Sequence, residues 1–493
     1  MSSEPAVLGL DLGTTECKGV LFSARGRLLG ESHVPCDLLR SGQGWVEQDP
    51  RLWWSAAKEA VTAVVKGASL AAGAICGIGV SSQGISFVPT DERGEPLGNA
   101  ICWLDTRAKE QAQAVLRRVP ASELFARTGK RASPAYVLPK LLWLQQERPE
   151  VFAQAAKFLM AHDHVVHRLT GQQVTDHTLA SGTMLYNVCQ QSWDAWLLDM
   201  FAVPGDKLPA LAWSGSCAGE LRPDAAEQLS LPSGVPVAVG GQDQKLAALG
   251  AGIGPMRATI SLGTAAALSL VVGKPTPDRG MRIPLFSFCL PGLWDLEGVI
   301  GTAGASLAWF REALAPGASF ACLDEEARGS AAGANGVRFY PHLAGATSPH
   351  WQEDTRGAFL GLSLATSRAD LVRAVLEGVA YQARLNLSIM AEVARQPEDV
   401  VVFGGGARSR LWRQILADVL GKPIGVTETV EAASLGAGIL AAVAGGIYSS
   451  VEEGQGAMLG QLEWQEPDWR AASVYQETYT EYLHVEGALL GGR

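Results

Sequence analysis

The chain has 493 residues, 47% of them hydrophobic and 18% charged, and 50 acidic against 40 basic side chains give it a formal charge of −10. That length exceeds what a single hydrophobic core serves, so at least two domains are expected, and the apolar share excludes a largely disordered chain. The acidic balance argues against nucleic acid or an anionic membrane as the main partner, so an anionic ligand would need local donors.

Residues 1–5 lack the basic and apolar regions of a secretory signal. Residues 7–10, 19–22 and 28–31 read as three antiparallel strands. The first turn between them carries Asp11-Leu12-Gly13-Thr14-Thr15. A glycine and hydroxyl residues in a tight turn let backbone N–H groups face a phosphate, and Asp11 suits a hydrated Mg²⁺ beside it. Residues 50–66 have helical apolar spacing, with Asp49 as N-cap and Pro50 in the first helical position. Residues 75–81 and 98–103 read as further strands, and 134–146 and 150–169 as mostly helical. His162, Asp163, His164 and His167 lie close enough in sequence to raise a zinc site. No second cluster completes one, and helical geometry turns His162 away from the other two imidazoles. Solvated or capping residues at a helix start are expected instead.

An apolar strand at 235–239 ends in Gly240-Gly241-Gln242-Asp243-Gln244, before a small-residue helix at 245–252. A carboxylate at such a strand end, between domains, is well placed in a cleft. Phosphoryl transfer to an alcohol needs an acceptor-orienting base, Mg²⁺ and backbone donors, and Asp243 fits the base. A plain helix N-cap is the alternative. The scheme then restarts. A hairpin of strands 259–262 and 267–272 turns at Ile260-Ser261-Leu262-Gly263-Thr264, an altered repeat of the first loop, which suggests a duplicated nucleotide fold. Helices follow at 305–314 and 369–392, and a buried parallel strand at 400–403 runs into Gly404-Gly405-Gly406-Ala407 before a helix at 409–420. Residues 432–451 are twenty uncharged residues, long enough to span a membrane, but four glycines and three serines suit a helix-turn packed closely on a sheet. Eight scattered cysteines without a C-x-x-C pair read as reduced, mostly buried thiols of a cytoplasmic protein.

These motifs, in this order from residue 9 to about 446, resemble the FGGY family of carbohydrate kinases, within the actin, Hsp70 and hexokinase superfamily. Gly9-Leu-Asp-Leu-Gly-Thr-Thr15 matches its first phosphate motif, Trp45-Val-Glu-Gln-Asp-Pro50 its early-loop motif, and Gly240–Gln244 the segment with its catalytic aspartate. Residues 357–377 resemble its C-terminal signature, and residues 404–414 its adenosine-binding turn. The resemblance implies an α/β protein of two RNase H-like domains, 1–252 and 253–493, with ATP, Mg²⁺ and a sugar in the cleft between them.

By the same resemblance Asp243 is the general base and Asp11 supports Mg²⁺. Gly13, Thr14, Thr15, Lys18, Gly263, Thr264 and Gly304 surround the phosphates, and Gly405, Gly406 and Ala407 border the adenosine. Gln83, Gly84, Ile85, Trp103, Asp105, Arg107 and Gln244 fall in the sugar site. An indole can cover an apolar sugar face while amides and carboxylates fix hydroxyls, with core packing as the alternative for Trp103. The pattern is nearest to xylulokinases, which carry Gln-Met-His-Gly where this chain has Gln83-Gly84-Ile85-Ser86; glycerol kinases place Arg-Glu there. A phosphorylated ketopentose such as D-xylulose is the default, with ribulose, a tetrulose, a polyol or a deoxy sugar open and a homodimer as one expected assembly. An actin- or Hsp70-like ATPase is the contrasting reading. Gln242-Asp243-Gln244 and Trp103 favour the kinase.

Overall fold

The computed structural model describes residues 4–42, 44–68, 72–427 and 431–491, so Met1–Ser3 of the opening stretch lie outside it. Two sheets repeat one plan. In the first, Leu28–Pro35, Glu16–Ser23 and Ala6–Leu12 form an antiparallel meander, and Ile75–Ser82 and then Pro236–Ala238 extend it in parallel. In the second, Trp294–Ile300, Ala266–Val272 and Arg257–Leu262 form the meander, extended in parallel by Asp399–Phe403 and Ile424–Thr427. Val7, Leu8, Leu10, Val400, Val401 and Val402 are fully or almost fully buried, as central strands covered on both faces require.

Helix Pro50–Gly67 starts as its sequence dictates, with Asp49 accepting a hydrogen bond from Arg51 N at 3.0 Å and Pro50 first in the helix. It lays Trp53, Ala57, Ala60 and Val61 against the first sheet. The uncharged stretch after residue 431 forms helix Ala432–Ala444, which crosses from the second half onto the first sheet. A Cβ at Gly9 or Gly79 would lie 2.1 Å from Ser434 O or 2.0 Å from Ala437 O, so bare strand backbone admits the helix. Among the described residues no helix is long and apolar enough to cross a membrane.

A five-stranded sheet, in the order Leu39–Arg40, Val46–Gln48, Ala100–Ile101, Phe87–Thr90, Lys157–Met160, is built from the stretches between these elements. It corrects two expectations. The strand expected at 98–103 keeps only Ala100–Ile101, and the helical reading of 150–169 is split by Lys157–Met160, whose Phe158, Leu159 and Met160 are buried against Phe87–Thr90. All eight cysteines are free, and half of them, Cys17, Cys36, Cys102 and Cys289, are buried.

Candidate active site

Both phosphate turns sit at the carboxyl ends of their sheets' central strands and open on one cleft of about 430 Å³. Thr14 lines it from the first turn, and Gly263 and Thr264 from the second. Asp243 and Gln244, at the start of helix Asp243–Gly250, line it beside Gly84, Ile85 and Trp103.

Side chains hold the first turn. Gln48 Nε2 donates to Thr14 O at 2.9 Å, and Gln48 Oε1 in turn accepts from Gln83 Nε2 at 2.8 Å and Trp53 Nε1 at 3.2 Å. Gln83 also reaches Gly13 O at 3.4 Å and accepts from the Ser86 hydroxyl at 2.9 Å, so its amide is spent on scaffolding. The Ser81 hydroxyl donates to Asp11 Oδ1 at 2.7 Å; burial raises the Asp11 carboxyl above the usual range despite that bond. Lys18 Nζ pairs with Glu431 at 2.8 Å rather than lining the cleft. Thr15 O accepts from Cys36 N at 2.8 Å.

Backbone holds the second turn. Gly304 N donates to Gly263 O at 2.9 Å and Ala305 N to Thr264 O at 3.0 Å. A Cβ at Gly304 would stand 2.5 Å from Gly263 O. Gly404 has φ +90°, and the turn Gly405–Arg408 that follows lays Gly406 on the Leu262 side chain, with Ala407 buried behind it.

Asp243 is the first helical residue, and Gln242 holds the N-cap position without a side-chain cap bond. Asp243 Oδ1 accepts from Gln244 N at 2.7 Å. Burial, followed by the negative charge of Asp11, pushes its carboxyl up to about 7. The segment before it is pinned from an unexpected quarter. Gly240 N donates to His162 Nε2 at 3.0 Å, which leaves Nδ1 to donate to Asp163 Oδ1 at 3.0 Å and fixes the imidazole as the neutral Nδ1–H tautomer. Asp163 also caps its helix by accepting from Met160 N at 2.9 Å. Asp163 is thus the capping residue expected at this helix start, while His162 and His164 are buried rather than solvated and His167 Nε2 meets Arg93 O at 3.0 Å. Among the described residues no group of three could hold a metal.

Trp103, Tyr136, Leu179 and Phe286 give the cavity an aromatic and apolar wall. Trp103 is 39% exposed and donates from Nε1 to Thr14 Oγ1 at 3.0 Å, so it is a cleft residue and not core packing. Buried Lys140 donates to Cys102 O and Ala135 O, both at 2.7 Å, tying down the residues just before Trp103 and Tyr136. Burial brings its ammonium down to about 7. Ile85 has φ +55°, a rare conformation for a β-branched residue, and a Cβ at Gly182 would lie 2.7 Å from its Cγ2.

Models of the N-terminal and C-terminal domains of FGGY family carbohydrate kinases match residues 6–250 and 258–445. The chain belongs to this family. It is 31% identical to a xylulose kinase of Staphylococcus epidermidis over 482 residues, covering 97% of this chain and 95% of that one. The structure of a "xyloylose kinase" from Brucella ovis superposes with a TM-score of 0.92 at 31% identity, over 99% of this chain and 100% of that one. A gluconate kinase from Lactobacillus acidophilus gives 0.93 at 27%, over 99% and 98%. The two-sheet α/β fold is that of FGGY kinases, and the chain is a sugar phosphotransferase; the ATPase reading falls away.

In this FGGY kinase, Asp105 and Arg107 do not join the cavity, contrary to expectation. Asp105 is buried and accepts from Val46 N at 2.6 Å and Arg107 N at 2.9 Å. The Arg107 guanidinium pairs with Asp105 and Glu47 and lies 4.1 and 4.8 Å from the Trp45 and Trp143 rings. The pair anchors the early loop that carries Gln48. Tyr136, Thr178, Gln242, Phe286 and Glu297 line the cavity without having been singled out as site residues. Only Gln242, beside Asp243 in the glycine-rich segment, had a sequence signal that could have found it.

Proposed function

We propose that this kinase moves the γ-phosphoryl group of ATP to the terminal hydroxyl of a small sugar, with a ketopentose such as D-xylulose as first candidate. One observation carries the reading: the Asp243 carboxylate, lifted to about 7, faces the space between two phosphate turns and an aromatic wall. A base with that pKa is matched to neutral pH, and it takes the acceptor's proton as the hydroxyl attacks. Thr14, Thr15, Gly263 and Thr264 hold the phosphates, Gly304 holds the second turn, and Gly405, Gly406 and Ala407 border the adenosine, with lobes divided near 252/253.

Asp11 fits a hard divalent cation, since burial disfavours its carboxylate charge and a cation beside it would offset both that cost and its repulsion of Asp243. Bound there, Mg²⁺ would neutralise the transferring phosphates. Trp103 covers an apolar sugar face, and Gly84 and Gln244 flank the reacting hydroxyl. Ile85 offers only carbon where xylulokinases have a histidine, so D-xylulose is expected to bind through other groups or weakly.

A coupled ADP-release assay over D-xylulose, D-ribulose, D-erythrulose, xylitol and D-gluconate tests the reading. Acceptor-dependent turnover is expected, and Ile85→His should favour D-xylulose over the native preference by roughly 5–150-fold. ADP release indifferent to every acceptor would overturn it.

A further inference from the structure

The inner cavity is lined, among the described residues, by two carboxylates, Asp243 and Glu297, and by no lysine, arginine or histidine. Glu297 comes from strand Trp294–Ile300 of the second sheet and opens both on this cavity and on a wider outer mouth. Its Oε2 accepts from Lys245 Nζ at 2.6 Å. Lys245 is fully buried and also meets Asp295 Oδ2 at 2.5 Å. One ammonium thus faces two carboxylates. Asp295 is otherwise occupied by the Ser269 hydroxyl at 3.2 Å and Leu270 N at 3.1 Å. Glu297 Oε1 takes no partner among the described residues, and Gln242 Oε1 on the same cavity is buried and unpartnered. A further buried lysine, Lys130, whose charged form is disfavoured by burial and then by Lys245, donates to Leu285 O at 2.6 Å and lies 3.1 Å from the Phe286 ring, outside the lining. At the outer mouth Lys109 and Arg131 are balanced by Glu110 and Glu353.

Away from the phosphate turns, two open acceptors with no basic side chain on the lining call for hydroxyl donors and penalise an anionic acceptor. We propose that Glu297 is a substrate-binding residue that accepts a hydrogen bond from a hydroxyl on the non-reacting part of the sugar, and that the cavity takes uncharged polyhydroxylated acceptors and rejects aldonates. This rests on the sugar-kinase reading above and adds the charge class of the acceptor. Lys245 holds the Glu297 carboxylate in place, and the strand that carries it brings the selection from the lobe opposite the five-stranded sheet.

The test compares xylitol with D-xylonate, which share a carbon skeleton and differ in one terminal carboxylate, together with the neutral ketoses and D-gluconate, on the full chain with MgATP. The wild type should use or bind the neutral members at least about 100-fold better than the aldonates, read as kcat/KM and as thermal protection. Glu297→Gln keeps an oxygen for Lys245 but removes the charge. It should raise KM for the best neutral acceptor about tenfold, narrow the preference over its aldonate about tenfold, and leave KM for ATP unchanged. Wild-type turnover of D-gluconate or D-xylonate equal to that of the neutral acceptors would overturn the proposal while leaving the sugar-kinase reading intact, and needs no variant. An unchanged preference in a folded Glu297→Gln protein would also overturn it. Failure of every acceptor to stimulate ADP release would sink both readings together.

Discussion

The two phosphate turns occupy equivalent places in equivalent sheets, yet they are fixed by opposite means. The first is held from outside by Gln48, Gln83, Ser81 and Trp103, four side chains from other segments. The second is held by Gly304 N, Ala305 N and close glycine packing on Leu262 and Gly263. The first turn carries a charged side chain, Asp11, whose buried carboxylate needs partners aimed at it. The second presents only backbone and a hydroxyl, and backbone is best fixed by backbone. Substitution should therefore separate chemistry from stability at the side chains that face the cleft in either turn, and merge them in the second turn wherever a glycine of its packed backbone is altered.

The largest effect in this comparison is expected from Asp11→Asn, which should lower kcat/KM about 10²–10³-fold. Burial raises this carboxyl above its unfolded value, so its ionisation costs the fold stability as pH rises from the usual carboxylate range through the raised value. At pH 8 the variant should melt no lower than the wild type, and a marked drop would make Asp11 a structural residue. Gly304→Ala comes next. The new Cβ, 2.5 Å from Gly263 O, must displace the turn, so KM for ATP should rise about tenfold while stability falls by about 1–3 kcal/mol in denaturant titration. Thr264→Val is the mildest, with ATP use about five- to tenfold weaker at unchanged Tm, because only a hydroxyl is lost from a β-branched shape. Equal losses of Tm and activity there would show a structural hydroxyl, and would break the contrast.

What could be read from sequence was local. Strand, turn and acid arrive together at Asp11–Thr15, and Gly240–Gln244 announces its own cleft-facing carboxylate, because a bend at a strand end is encoded by neighbouring residues. The early-loop motif was visible too, but not its task, since Gln48 meets Thr14 only through the five-stranded sheet. Asp105 and Arg107 were placed in the sugar site by family resemblance, which does not say whether a carboxylate's partners are already in the protein. His162 was hidden for the reverse reason: its partner, Gly240 N, is 78 residues away. Glu297, two residues after Asp295 in a buried strand, has no visible task until Lys245 is placed beside both.

The account rests on Asp243 as the base between the two turns, and one variant measured across pH tests it most directly. Wild-type kcat/KM should climb with pH through an inflection near 7 as the carboxyl ionises. Asp243→Asn should cut acceptor-dependent ADP release about 10²–10⁴-fold with ATP binding retained. A carboxyl raised to about 7 costs stability increasingly from about pH 4 to 7, so the same variant should gain in Tm over the wild type by more at pH 8 than at pH 5. Near-normal turnover by Asp243→Asn would contradict the account, whatever its Tm.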